Sequence, residues 1–414
     1  MKWNSVKLQR ILDVSDPGVW GTEDLENGVS ILRSTNMNNN GTLDFTNLTF
    51  RAVPEKKRRD KTLISGDIIL ERSGGGPKQP IGRVCYFDGD ARPHLFGNFC
   101  QRLRANSELC ESRFLFWFLY HFHATGQTQS YQKQTTGIRN LEYKRYIAQL
   151  VTLPPPSEQR RIVEILDQAD ALRKKRAEAD AKAARILPAL FYKMFGDPAT
   201  NPKGWPTGTF KDLFSQDKDI VDEVAGANQP YLGLEHIESE SGRILITESY
   251  ASTTEVRGVS FQFDTHHVLY GKLRPYLNKV ALPSFSGRCS TELVPLLPRG
   301  DSPREFIAAY LRLPFVVNAA MSTNKGSRMP RTDMHLLMNM TVPIPPIPLQ
   351  KKYAAAFHAV QATHIQRNIA TEKIEEIFNV LLHRAFTGDL TANWREAHMK
   401  ELLAEMETQA KALL

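Results

Sequence analysis

The chain has 414 residues, of which 41% are hydrophobic and 24% charged, and a formal net charge of +8. That is an ordinary globular composition, long enough for two or three domains. No run reaches the about 18 apolar residues of a membrane span, and the opening MKWNSVKLQRILD lacks the apolar core of a signal peptide, so a cytoplasmic protein is expected.

Residues 1–150 read as mixed α/β. Candidate strands at 29–33, 67–71 and 81–87 are short, β-rich and separated by Gly or Pro. Lys56-Lys57-Arg58-Arg59 reads as a solvated loop. Gly74-Gly75-Gly76 reads as a turn, because glycine tolerates positive φ; the surrounding ERSGGGPKQPIGR lacks the Gly-Lys-Ser/Thr of a phosphate cradle. ESRFLFWFLYHF at 111–122 reads as a buried helix whose rings are core. Cys85, Cys100, Cys110 and the later Cys289 have no CxxC spacing, so reduced buried thiols are expected rather than a zinc or redox site.

LPPPSEQRR at 153–161 stops any strand, and Ser157 with Glu158 suits a helix start. With Ile162 at heptad position a, Ile165, Ala169, Leu172, Arg176, Ala179, Ala183, Ile186 and Leu190 continue an a/d seam. Pro188 should kink this helix, and Gly196 should end it. Residues 198–341 again read as α/β, with strands at 231–234, 268–270 and 293–297 and a helix at 304–312. His266 and His267 are adjacent, so on a strand they point to opposite faces and cannot chelate together. IPPIPLQKK at 344–352 then opens a second long helix, with Asn379 where the first has Pro188.

The two halves align without a gap at an offset of 191 residues from Gln159/Gln350 to Leu190/Leu381. Arg176 falls on Arg367, and each helix ends at a Gly-Asp, Gly196-Asp197 and Gly388-Asp389. Lys2-Trp3 resembles Gly204-Trp205 upstream, with Leu8 where Phe210 stands. Each helix should span about 38 residues, or roughly 55 Å. A duplicated chain that folds back would pair them antiparallel. The expected fold is therefore α+β: two α/β domains joined by two long helices in an antiparallel coiled coil, with an internal pseudo-twofold repeat. The boundaries are 1–150, 151–197 for the central helical spacer, 198–341, and 342–414 for the C-terminal helical spacer and tail.

The basic excess is concentrated early: 21 basic against 15 acidic residues in 1–150, but 15 against 15 in 198–341. Such a surface suits a polyanion. No Asn/Asp-Pro-Pro-Tyr/Phe motif and no GxGxxG after a strand is present, so neither catalytic nor cofactor-binding residues are assigned, and the histidines show no metal spacing.

The chain resembles the specificity subunit of type I restriction–modification systems. The resemblance covers essentially its whole length. It rests on LPPPSEQRRI and IPPIPLQKKY, the Phe-Gly-Asp and Phe-Thr-Gly-Asp helix ends, LISGDIILERSG, HHVLYGKLRPYLNK, and the Gly-x-Arg loops TTGIRNLEY and NKGSRMPRTD. It implies two target-recognition domains, each reading one half of a bipartite site in double-stranded DNA. The helices would be spacers that dock two modification (methyltransferase) subunits and, through the complex, the restriction/translocase subunits. S-adenosylmethionine would be bound by those partners, and the chain itself would be non-catalytic. Base readout needs hydrogen-bonding side chains on rigid loops, whereas phosphate contact needs only donors. Candidates for the two roles are Arg33, Asn36, Arg72, Lys78, Lys133 and Arg139 in the first domain. In the second they are Glu235, His236, Lys272, Arg274, Lys325, Arg328 and Arg331. Two other readings stand beside this one, an assembly scaffold that binds only protein and a DNA enzyme with an unfamiliar active site.

Overall fold

A computed structural model describes residues 3–76, 79–135, 138–221, 229–247, 249, 258–322 and 328–413. The chain divides into two compact units, Met1–Lys174 with Glu372–Leu414, and Lys175–Thr371.

The first unit opens with strand Asn4–Lys7, antiparallel to Leu150–Leu153, so the two ends of its α/β part are tied together. A four-stranded sheet follows in the order Leu12–Pro17, Cys100–Ala105, Ile68–Glu71, Val84–Tyr86. A second sheet contains Val29–Leu32 parallel to His94–Phe96. Helix Ser112–Ala124 buries Phe114, Leu115, Phe116, Trp117, Phe118 and Leu119. Its aromatic row is core, as the sequence suggested. Trp117 donates Nε1 to Asp167 at 2.8 Å and meets the Phe378 ring at 5.6 Å. One residue thus ties the domain to both long helices, and burying so large a side chain stabilises by a few kcal/mol.

The second unit repeats this plan on a different sequence. Thr207–Thr209 pairs with Thr341–Pro343 as Asn4–Lys7 does with Leu150–Leu153. Its main sheet runs Phe214–Gln216, Leu293–Pro298, Val268–Gly271, Val280–Ala281. Tyr231–Leu232 lies parallel to Gly287–Ser290, matching the parallel pair of the first unit. The third strand of that sheet joins on the other side, however. Ser260–Phe263 pairs with Gly287–Ser290, whereas Thr49–Ala52 pairs with Val29–Leu32.

The first long helix runs Pro156–Ala184 and is followed by Ile186–Phe195. The break has a local cause. Pro188 has no N–H to offer the carbonyl of Ala184, and Arg185 closes a tight turn on Lys182 instead. The second helix, Ile347–Thr387, continues through Asn379 for 41 residues. Gly196 and Gly388 end the two helices at φ +81° and +87°.

The helix starts repeat as well. Gln159 donates Nε2 to the Pro154 carbonyl at 2.8 Å, and Gln350 donates to that of Pro345 at 2.7 Å. Gln159 Oε1 accepts the backbone N–H of Glu111, the residue that caps helix Ser112–Ala124. The corresponding cap in the second unit is Pro303, which has no N–H, and the buried Gln350 Oε1 has no partner.

Within each unit the helices pair antiparallel. In the first, Glu158 reaches Thr391 and Arg395 while Arg173 reaches Glu375. In the second, Asp180 reaches Thr371 while Leu187 reaches Tyr353. The heptad phase differs from the expected one. Leu172, expected in the a/d seam, and Ile377, 191 residues after Ile186 of the same seam, are 60% and 59% exposed. The inward rows are Ile162, Leu166, Ala169, Arg173, Arg176, Asp180, Ala183, Leu187 and Leu190, alternating steps of four and three. The second helix repeats them 191 residues on, from Tyr353 through Phe357, Arg367, Thr371 and Phe378 to Leu381. Several positions in the middle of both seams are thus polar.

Helices Ala392–Ala397 and Met399–Ala412 fold back on the first unit. Glu158, fully buried, accepts from Trp3 Nε1 at 2.8 Å, Thr391 Oγ1 at 2.6 Å and Arg395 Nε at 2.7 Å. Arg395 also lies over the Trp3 ring at 4.7 Å. Glu405 accepts the backbone N–H of Ser157 at 2.9 Å and so caps the first long helix from 248 residues away.

Candidate nucleic-acid interface

Each unit carries the same frame at the end of one central strand. After Ile68–Glu71, Arg72 donates its N–H to Phe99 and accepts from Leu141. After Val268–Gly271, Lys272 donates to Glu292 and accepts from Thr332. A cation therefore leaves the sheet at the same topological point twice. In the first unit the frame continues into a ribbon of Ser73–Gly74, Ile138–Leu141 and Gln132–Thr135. Gly74 and Gly75 stand at φ +119° and +67°, and a Cβ on Gly75 would lie 2.7 Å from the Gln79 carbonyl oxygen. Gly74 closes the ribbon strand and Gly76 bridges to Gln79, so the glycine run is partly strand rather than the turn expected. In the second unit only a bridge between Leu273 and Arg331 forms among the described residues.

Arg139 stands on the ribbon opposite Gly74, half-buried. Lys133, on the neighbouring strand, is exposed and lies 3.5 Å from Glu142. Arg72 is more committed: Nη1 donates to Gln101 at 2.9 Å, and the guanidinium lies over the Tyr143 ring at 4.9 Å. In the second unit Arg274 is exposed at φ +52° and donates its N–H to Pro330. Arg331 pairs with Glu292 at 3.0 Å, Arg328 is exposed, and Lys272 is half-buried. These seven residues gather on the two repeated frames. Lys78 and Lys325 lie outside the described residues.

Asn36 and His236 hold turns. Asn36 is buried; its Oδ1 accepts the Arg33 N–H at 3.0 Å, and its Nδ2 donates to the carbonyls of Asp44 and Asn47. His236 Nδ1 accepts the Gly233 N–H at 3.1 Å in the matching 3₁₀ turn. Arg33 donates Nη2 to Asn47 at 3.1 Å, and Glu235 is exposed beside His236. Arg83, which carries no sequence signal of its own, fixes the first of these turns. It forms a bidentate pair with Glu71 at 2.8 Å and donates to the carbonyls of Met37 and Ser34. The Glu71 hydrogen bond raises the arginine's pKa and outweighs desolvation, which lowers it.

The early basic excess is partly internal. Arg102 pairs with Asp16, Arg104 with Asp67 and Arg113 with Asp167. Lys56 to Arg59 lie in helix Glu55–Lys61 rather than a loop. Two exposed rings beside arginines escape the sequence reading. Trp20 is 46% exposed under Arg51, and Tyr276 is 49% exposed two residues from Arg274. A ring next to a cation in a turn is the signal that could have found Tyr276; nothing local links Trp20 to Arg51.

His267 is buried and hydrogen-bonded to Asp264 and Asp217, so both its ring nitrogens are engaged; His266 points to solvent. All four cysteines are buried and free, and burial pushes the Cys85 thiol up to about 12. Among the described residues no three His, Cys, Asp or Glu side chains are grouped to hold a metal, and no helix is long and apolar enough to cross a membrane.

Two α/β units of repeated topology, each attached to a long helix, define the class: this is the fold of type I restriction–modification specificity subunits. A chain solved in work on assembly and conformational transition of the type I system aligns over 94% of this chain and 98% of its own, with TM-score 0.54 and 15% identity. The S subunit from M. genitalium aligns over 93% and 96%, with TM-score 0.53 and 14% identity. In sequence, residues 2–180 match the family described as the type I restriction modification DNA specificity domain. The specificity subunit of the type I restriction enzyme EcoDI from Escherichia coli is 27% identical over 219 residues, 51% of this chain. That match spans 48% of the relative's own length.

Proposed function

We propose that the chain is the sequence-specific DNA-recognition subunit of a type I restriction–modification complex in the cytoplasm. Residues 1–150 and 198–341 each read one half of a bipartite duplex site. Segments 151–197 and 342–414 act as spacer and as docking surface for two modification subunits, and through them for restriction subunits. The methyl donor, S-adenosylmethionine, belongs to those partners, and the chain contributes recognition without chemistry of its own.

The observation that carries this reading is the frame built twice at Arg72 and Lys272. Two unrelated sequences bring cations to the same strand end, flanked by Arg139 on one side and by Arg274, Arg328 and Arg331 on the other. Donors of this kind supply phosphate contacts, and arginine in particular reads guanine edges. Lys78 and Lys325 are retained as candidates. Asn36 and His236 position the adjacent turns, Arg33 holds its own, and the exposed Glu235 is retained as a candidate.

The test is the full chain with its modification subunit. Binding to duplex DNA should fall steeply with salt, and sequencing of methylated DNA should give one motif of two fixed halves around an unspecified gap. DNA binding without salt dependence, or methylation by the chain alone, overturns the reading.

A further inference from the structure

The polar middle of the helix seam contains an imbalance. Arg176 and Arg367 occupy equivalent places in the two repeats, 191 residues apart, and so do Asp180 and Thr371. In an antiparallel pair these four meet, and within the second unit they do. Arg176 donates to both carboxylate oxygens of Asp180, and its Nε lies 3.1 Å from Thr371 Oγ1. Thr371 Oγ1 lies 3.1 Å from Asp180 Oδ2. Arg367 Nε stands 3.3 Å from Asp180 Oδ1 as an ion pair without hydrogen-bond alignment, and its buried Nη2 has no partner. The contacts Arg176–Thr371 and Asp180–Arg367 are the same contact seen from either repeat. One carboxylate serves two guanidiniums because the second repeat has a hydroxyl where the first has an acid.

The neighbouring inward residues of the first helix are Ala169, Arg173 and Ala183. Alanine fills little space in a seam and discriminates weakly between registers, whereas a polar group at one inward position can specify register at some cost in stability. We propose that Asp180, shared by Arg176 and Arg367, is the positioning residue that fixes the register of the helix pair, and with it the gap between the two half-sites. The second clause rests on the function proposed above; the first does not.

The symmetry gives a direct test on the full chain. Asp180→Thr makes both repeats hydroxyl, Thr371→Asp makes both acid, and the double exchange moves the one acid to the other repeat. Spin labels on exposed Glu178 and Gln366, after substitution to cysteine, report register, since the native cysteines are buried. The wild type should give one narrow distance and D180T a broadened or multiple distribution. The double exchange should restore one distance, because the transferred carboxylate would face Arg176 as Asp180 faces Arg367. T371D gives Arg367 its own acid and should raise the melting temperature by about 2–4 °C. A single unchanged distance in folded D180T overturns the proposal. If D180T does not fold, T371D decides: no gain in melting temperature overturns it. In the modification complex D180T should methylate sites with more than one gap. A wild-type complex that yields no bipartite motif would sink the functional reading while leaving the register result standing.

Discussion

Replacing Glu158 by alanine removes the acceptor for three donors at once. Glu158 is fully buried, and the side chain of Arg395 is only 14% exposed. Without Glu158, Trp3 Nε1 and Thr391 Oγ1 lose their partner, and Arg395 keeps only neutral ones, the Gly388 carbonyl and Thr391. Breaking a buried ion pair from one side costs about 3–5 kcal/mol, chiefly for the charge left behind. Glu158→Gln keeps one acceptor oxygen, for Thr391 and Arg395 or for Trp3 but not for both, and loses the charge, so it should still cost about 1.5–3 kcal/mol. Urea unfolding followed by tryptophan fluorescence suits the measurement. Four of the five tryptophans, Trp3, Trp20, Trp117 and Trp394, lie in the first unit, so the signal reports on the unit that carries the lesion. Arg395→Leu combined with Glu158→Leu should recover much of the loss. A cost for E158A below about 1 kcal/mol, or strict additivity of E158A and R395A, would refute the reasoning.

Burial lowers the pKa of His123 to about 4. The unfolded chain then binds its proton first as pH falls, so stability should decline from about pH 6.5 towards 4 at up to about 1.4 kcal/mol per pH unit and level off below that; in His123→Gln, urea midpoints at pH 7 and 5 should lie closer together than in the wild type. Exchanging residues 198–341 for those of a relative should alter one half of the methylated motif, and a change in both halves would contradict independent readers. Adding seven residues near Arg176 and seven near Arg367 lengthens the seam by about 10 Å, or roughly three base pairs at 3.4 Å each; the selected gap should grow while both half-sites stay the same. Arg139→Ala should weaken binding and reduce the salt slope by about one unit if Arg139 contacts phosphate, and should relax one base position if it reads an edge.

The repeat was legible because its signals are covalent. Proline lacks an N–H and glycine tolerates positive φ, so Pro154, Pro345, Gly196 and Gly388 punctuate regardless of context. The break before Pro188 follows from the same chemistry. The heptad phase was not legible, because rows a/d and a/e both hold alanines and charges, and only the partner helix decides which row is buried. Asn36 and His236 fit a DNA reader and a turn cap equally by residue type. What separates the roles is an N–H three residues back, Arg33 or Gly233, brought within reach by the fold. The clasp of Trp3, Glu158 and Arg395 joins residues up to 392 positions apart and leaves no local trace.

On the proposed function, the glutamine fastenings at the two hinges bear on how such a protein would acquire new targets. Donor and acceptor lie five residues apart in both, Gln159 to Pro154 and Gln350 to Pro345, so each hinge brings its own closure. At the glutamine itself, a foreign reader spliced upstream of the prolines is asked only for a backbone amide against the side-chain oxygen; contacts such as Trp117 to Asp167 are a separate demand. Pro303 shows that even the amide can be missing, since Gln350 stays buried without it. Gene shuffling at these borders would therefore leave the glutamine closure itself intact, while an incoming reader would have to rebuild its own side-chain contacts to the helices, as Trp117 does with Asp167 and Phe378.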